Sequence, residues 1–382
     1  MTTEYLIVGA GPSGCAAGIT LRKHGKECMI IERYPLGRRK LCAGVFTRKS
    51  QRALDELLGA ETAVKCYGEC LVSREKQLVL WKDMEKLVAC DTRFPITLID
   101  RPKFDYFLAK HFMEQGGTIL DNTNIASISF DDRTVTLENG EKITYKNLIA
   151  ADGANSFVER EAKKQVVGFL PKDESILAME INVDREDFSI DGVNLYFEIV
   201  PETYAWAFSK ADKVCLGLGK LQGKDFSAQE VFTQFLKKLG VKNLDKYPLR
   251  GAMLPFGNTM PVPAIPSADV MFVGDAGGLV EPVTGEGIFC ALQSGIFAGD
   301  SRNAEEYLEK VKFLHRLIKK DAGYQKLLTM PRMMKFFYHR VKDNPGFMEH
   351  FYSTQIEEVC FEKFIQIYLK YKLLYRRKKD KS

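Results

Sequence analysis

Three observations in this 382-residue chain predict an α/β fold, with a parallel-sheet domain, an inserted antiparallel sheet and a helical C-terminal region. The first lies at the N-terminus, where the apolar run from Thr3 to Val8 breaks into Gly9-Ala10-Gly11-Pro12-Ser13-Gly14 before a helical stretch from Cys15 to His24. The second is a pair of later buried strands, Leu148 to Ala151 and Val270 to Val273, that end in the same manner at Asp152-Gly153 and Gly274-Asp275. The third is a period near two from Ser175 to Leu218, the alternation of an antiparallel sheet.

The N-terminal unit reads as strand, glycine turn, helix, followed by a second strand, Glu27 to Ile31, that ends at Glu32. In a Rossmann-like unit Gly9 permits the tight turn, Gly11 lets the backbone approach a pyrophosphate, and Gly14 lets helix and strand pack closely. Pro12 and Ser13 complete the loop, whose amides at the helix N-terminus hold phosphate, while Glu32 takes ribose hydroxyls and Arg33 follows it. The flanking strand, the helix and the acid after the second strand separate this pattern from an ordinary glycine turn.

Composition bounds the rest. An apolar content of 45% is that of a packed globular protein. The nine cysteines are odd in number and scattered, with no CxxC pair and no secretory signal, so a reduced, cytoplasmic protein is expected. Cys66 and Cys70 lie four apart, but no second pair follows, and no metal site is predicted. Residues 5–21 carry no charge, yet three glycines and a proline stand in the middle of the run and Glu4 precedes it, which argues against a signal peptide or membrane span. The formal net charge is +5; the segment from Lys363 to Ser382 alone carries +7, leaving about −2 for the body. Basic character belongs to the tail, and nothing calls for nucleic acid.

After Glu32 comes a basic loop, Arg33 to Lys40, then Leu41-Cys42-Ala43-Gly44, where a thiol beside a small-residue turn stands either next to a bound cofactor or as a buried small hydrophobe. Residues 50–60 read as helix and 66–98 as antiparallel strands. Asp100 caps a helix opened by Arg101 and Pro102, with Phe104, Phe107, Leu108, His111 and Phe112 at helical spacing; this puts His111 on a packed face. Ile125 to Tyr145 gives two or three strands with Asn139-Gly140 as a hairpin turn. Tyr204, Trp206 and Phe208 alternate, so they share one face, either packed on a helix or forming a wall for a flat or greasy ligand. Gly285-Glu286-Gly287 opens a helix through Ile288 to Ala298, and its first amides favour an anion. From Glu305 onward the chain reads as helix rich in aromatics and lysine. Domain boundaries follow: 1–65 with 99–165 and 265–300 for the nucleotide domain, 66–98 with 166–264 for the substrate domain, and 301–382 for the helical region.

Taken together, Gly9-x-Gly11-x-x-Gly14 with Glu32, Ala151-Asp152-Gly153-Ala154-Asn155-Ser156 and Val273-Gly274-Asp275-Ala276-Gly277-Gly278 resemble the three FAD signatures of the para-hydroxybenzoate-hydroxylase-like flavoproteins. Leu41-Cys42-Ala43-Gly44, Tyr204-Ala205-Trp206-Ala207-Phe208-Ser209 and Glu281 to Ile288 extend the likeness to the geranylgeranyl reductase family, over residues 1 to about 300. The resemblance implies a glutathione-reductase-type FAD-binding domain in three segments, with the inserted sheet carrying substrate. It implies that Glu32 holds the adenosine ribose, Asp275 the ribitol or pyrophosphate side, and Gly285, Glu286, Gly287 and Ile288 the isoalloxazine edge. Arg101 matches the arginine near the cofactor, Cys42 the cysteine close to the flavin, and Tyr204, Trp206 and Phe208 the aromatic wall of the lipid cavity. Two departures stand out: Ser209 occupies the place of the family's proline and Ala43 that of a glycine. A freed backbone N–H at Ser209 is expected to alter the cavity wall.

The activity implied is reduction of an isolated alkene in a prenyl lipid by hydride from reduced flavin, with Cys42 or an ordered water as proton source. A flavin monooxygenase shares all three signatures and is distinguished by oxygen consumption; a non-catalytic flavin or lipid-binding electron carrier is the third reading. Without a second GxGxxG unit, the reductant is NAD(P)H bound transiently or a protein such as reduced ferredoxin. Phe361, Phe364, Ile365, Tyr368, Leu369 and Lys372 recur at helical spacing before Arg376-Arg377-Lys378-Lys379, which reads as either an interfacial helix touching the inner face of a membrane or a solvated terminus.

Overall fold

Strand Thr2–Val8 is the axis of the first sheet, running parallel to Cys28–Ile31 on one side and Lys142–Ala150 on the other. The computed structural model describes residues 1–169, 175–255, 260, 262–342 and 344–353. Leu6 and Ile7 face opposite sides of this sheet and both are fully buried, which is why the run carries no polar alternation. Val270–Phe272 and Ala264–Ile265 extend the sheet beyond Lys142–Ala150, and Thr118–Leu120 extends it beyond Cys28–Ile31. Thr134–Leu137 joins Lys142–Ala150 through Asn139-Gly140, with Gly140 at φ 86°, as the sequence predicts. Val8 and Phe272 both stand opposite Ala150, so the loops that follow these three strands emerge side by side at one edge. That edge is where open α/β sheets bind ligands.

Helix Pro12–Lys23 packs on helix Ile288–Gly299 through small residues; a Cβ at Gly295 would stand 2.3 Å from the carbonyl oxygen of Ser13. This close approach fixes the 285–287 turn beside the N-terminal glycine loop.

The second sheet is mostly antiparallel, in the order Arg250–Pro255, Ser175–Asp184, Lys213–Leu221, Tyr204–Ser209, Val193–Phe197, Leu71–Lys82, Glu85–Ile99 and Val45–Phe46. The two inserted segments join through one parallel pair, Val193–Phe197 with Leu71–Lys82. One face packs on helix Ala228–Leu239 through Tyr196, Phe232 and Phe235. The opposite face carries Leu78, Leu80, Trp206 and Phe208. Residues 66–70 depart from the strand expected there: they belong to helix Ala60–Cys70, because Ala63, Cys66 and Cys70 recur at helical spacing on its buried side. Alternation begins only at Leu71.

The helices after residue 300 serve both sheets. Ala304–Thr329 lies against the first, where Tyr307 Oη donates to Phe272 O at 2.7 Å. Pro331–Val341 and Pro345–Phe351 cover the second, burying Phe337, Tyr338, Phe347 and Met348. The amphipathic and basic run from Phe361 to Lys379 lies outside the described residues. Among the described residues no helix is long and apolar enough to cross a membrane.

Candidate active site

The N-terminal glycine loop is built from backbone constraints. Gly9 sits at φ 106°, and a Cβ there would stand 2.4 Å from Ala151 O; one on Gly14 would stand 2.0 Å from Gly9 O. Gly11 differs, since a Cβ on it would meet nothing within 4 Å and would project into a cavity of about 1890 Å³. Gly11 therefore keeps a ligand path clear, whereas Gly9 and Gly14 hold the turn itself.

Glu32 braces this loop. Its carboxylate is buried and accepts from Ala10 N at 2.8 Å and Tyr34 N at 3.0 Å, with Arg38 Nε 3.7 Å away. Arg33 and Arg38 lie over the Tyr34 ring at 4.7 and 5.0 Å. Across the loop, Asp152 Oδ2 accepts from Phe157 N at 2.6 Å and Val158 N at 3.1 Å, the first two amides of helix Phe157–Gln165, whose cap is Ser156. Burial raises the Asp152 carboxyl above the usual range, although its hydrogen bonds oppose this. Asp152 Oδ1 is buried without a partner among the described residues and belongs to a cavity-lining residue.

Deeper in the site, Arg101 is buried and makes a two-pronged ion pair with Asp105, Nε–Oδ1 3.0 Å and Nη2–Oδ2 3.1 Å. Burial works against its charge, but Asp105 and the neighbouring Cys42 side chain outweigh that. Cys42 is half-buried, and its sulfur accepts from Gly44 N at 3.4 Å.

The 281–287 loop is clamped from beneath. Glu281 accepts from Val283 N at 2.6 Å and Thr284 N at 2.9 Å. Glu286 Oε1 accepts from Ser50 Oγ at 2.7 Å and Phe289 N at 2.9 Å, while its Oε2 lies 3.1 Å from Lys49 Nζ. Both members of this ion pair are buried. Burial disfavours the Lys49 charge, but Glu286 and then Glu281 outweigh it and hold the ammonium more firmly than usual.

Tyr204, Trp206 and Phe208 share one face of the second sheet, with ring centroids 6.1 and 6.3 Å apart along the strand. They line the cavity and share one apolar cluster with Phe337 and Tyr338 of the C-terminal helices. Ser209 faces away. Its N–H donates to Gly192 O at 3.0 Å and its Oγ accepts from Arg185 at 2.6 Å, so the expected change in the cavity wall does not occur there. The alternation that turns Phe208 inward turns Ser209 outward.

The cavity is thus lined by Gly9, Gly11, Pro12, Ser13, Glu32, Arg33, Cys42, Ala43, Arg101, Asp152, Gly153, Asp275 and Gly285 to Ile288, together with the three wall aromatics. Gly14, Gly44 and Gly274 stand behind it, the first two in tight contact with backbone oxygens and Gly274 against the Ser13 side chain. Lys49 and Ser50, on helix Arg48–Leu58, were not marked by the sequence, where residues 50–60 read only as helix. Nor were Met334, Phe337, Tyr338, Met348 and Phe351 marked, although their helical spacing was a visible signal of one buried face.

A family profile described as an FAD binding domain matches residues 2–299. The digeranylgeranylglycerophospholipid reductase 1 of Methanothermobacter thermautotrophicus is 31% identical over 314 residues, covering 78% of this chain and 77% of that protein. The crystal structure of a geranylgeranyl bacteriochlorophyll reductase-like protein from Thermoplasma acidophilum superposes with a TM-score of 0.71 at 20% identity, covering 97% of this chain and 95% of the other. A 2-methyl-3-hydroxypyridine-5-carboxylic acid oxygenase shares the fold with a TM-score of 0.67 at 16% identity, covering 90% and 93%.

Proposed function

The chain belongs to the geranylgeranyl reductase family of FAD-binding flavoproteins, and on that premise we propose that it uses FAD to saturate carbon–carbon double bonds of a geranylgeranyl-type prenyl lipid. The observation that carries this reading is one continuous cavity of about 1890 Å³, lined by both the glycine loops and the aromatic wall. Ordinary small-molecule pockets run to roughly 300–1,000 Å³. The larger volume has room for a dinucleotide and a long apolar chain together.

The residues fit FAD. Gly11 leaves a path for phosphate, and the orphaned Asp152 Oδ1 offers an acceptor to a hydroxyl. Glu32 and Asp275 lie on the same cavity. When bound, reduced flavin supplies hydride to one carbon of the alkene.

Everything else falls to the chain itself. Cys42 gives its thiol proton to the second alkene carbon, the Arg101 guanidinium beside the sulfur stabilises the thiolate left behind, and solvent returns the proton. An isolated alkene has no carbonyl to polarise, so positioning supplies much of the rate. Tyr204, Trp206 and Phe208, with Phe337 and Tyr338 opposite, orient the chain and exclude water. NAD(P)H or reduced ferredoxin serves as reductant, and the basic tail brings the enzyme to a membrane surface where such lipids reside.

The test is product analysis with and without oxygen. Given excess reductant and a geranylgeranyl lipid, anaerobic incubation is expected to yield products heavier by whole hydrogen pairs. A product that forms only in air and gains one oxygen atom would assign the chain to monooxygenase chemistry, and flavin cycling without any product would make it a carrier.

A further inference from the structure

On the inserted sheet the cavity is lined by an apolar run of Leu78, Leu80, Ile176, Ala178, Val193 and Leu195, and Glu180 breaks that run. Glu180, on strand Ser175–Asp184, alternates with Ile176 and Ala178 on the cavity-lining face, while Met179, Ile181 and Val183 pack on the far side. Its neighbours across the sheet follow in register: Glu180 stands opposite Gly217, and Gly217 stands opposite Trp206. A Cβ on Gly217 would stand 2.2 Å from Trp206 Cζ2 and 2.4 Å from Cε2, the carbon bonded to Nε1. The missing side chain lets the indole fold over Gly217 toward Glu180.

Both polar groups are more than nine-tenths buried, Glu180 at 6% exposure and Trp206 at 9%. Asn182 Nδ2 donates to Glu180 Oε1 at 3.1 Å and Lys210 Nζ donates to Asn182 Oδ1 at 3.3 Å, so one carboxyl oxygen is anchored from the rim. Glu180 Oε2 has no hydrogen-bond partner among the described residues. The Cys215 side chain lies beside both Glu180 and the Trp206 indole, although neither Glu180 Oε2 nor Trp206 Nε1 makes a hydrogen bond of ordinary geometry with it. An acceptor and a donor thus stand side by side in an apolar wall, each costly to leave unpaired.

We infer that Glu180 and Trp206 form a polar subsite of the cavity that takes a hydroxyl group of the lipid substrate. The hydroxyl donates to Glu180 Oε2 and its oxygen accepts from Trp206 Nε1. The inference rests on the prenyl-lipid reading and adds a selection to it, since a chain without the oxygen leaves both groups unpaired.

The chain has two tryptophans, and Trp81 Nε1 is already bonded to Asn194 Oδ1 at 3.0 Å, so the two indole N–H resonances are separable with a Trp81→Phe control. FAD-loaded protein is titrated with geranylgeraniol and with the same hydrocarbon lacking the hydroxyl. The alcohol is expected to bind at least about tenfold more tightly and to shift the Trp206 indole signal downfield, which the hydrocarbon does not do. Glu180→Leu is expected to erase that preference while leaving hydrocarbon affinity in place, with Glu180→Gln as a size-conserving second variant; the flavin spectrum reports whether each has folded. Equal affinity for the two ligands in the unaltered protein, or a preference that survives Glu180→Leu, overturns the subsite alone and leaves a buried water as the partner. Binding of neither ligand overturns the prenyl-lipid reading, and the subsite with it.

Discussion

The phenol of Tyr204 donates a hydrogen bond to the carbonyl oxygen of Thr284. The first residue of the aromatic wall is thereby tied to the loop that ends in Gly285-Glu286-Gly287, and the two sheets meet at the point where cofactor and substrate are proposed to meet. Tyr204→Phe keeps the ring and removes the tie. A stability loss of about 1 kcal/mol is expected, read by urea unfolding, together with weaker FAD binding read by flavin fluorescence; unchanged FAD affinity would show that the tie does not hold the loop.

Gly11 and Gly14 separate ligand clearance from folding. Gly14→Ala places a methyl group 2.0 Å from Gly9 O, so poor folding is expected. Gly11→Ala meets no protein atom within 4 Å, so its apo form should unfold near the unaltered midpoint while FAD affinity drops. Thermal melts with and without added FAD distinguish these outcomes.

Lys49 and Glu286 form a buried pair under the same loop. Removing one partner strands the other charge, at a cost of about 3–5 kcal/mol. Lys49→Met is therefore expected to destabilise severely, and Lys49→Met with Glu286→Leu to recover part of the loss, because no charge remains buried. A double variant no better than the single one in chemical denaturation would argue against the pair.

Asp321, on helix Ala304–Thr329, is pushed up to about 6 from an ordinary 3.8 by burial and then by Glu281, with Lys320 opposing. The folded form holds this proton more tightly than the unfolded chain. The stability it contributes is full below 3.8 and is lost as pH rises through about 6. Asp321→Asn should flatten that decline, as measured by unfolding midpoints between about pH 4 and pH 7.

The cofactor edge was legible in the sequence because its signals are local. Gly14 answers to Gly9 O five residues back, Gly9 takes the positive φ of a tight turn, and Asp100 caps its helix at Lys103 N as its spacing foretells. The rest depends on pairings between distant segments. Nothing near Lys49 announces Glu286, and nothing near Glu180 announces the indole laid over Gly217. Ser209 shows the converse, since a departure from a family pattern was spent on the outward face of a strand, in a bond to Gly192.

The most direct measurement of the central claim is anaerobic. The protein is loaded with FAD, reduced with dithionite, and mixed with a geranylgeranyl lipid while flavin absorbance is followed. The account predicts reoxidation by the lipid alone, slowed strongly in Cys42→Ser. Flavin that stays reduced until oxygen is admitted would contradict it.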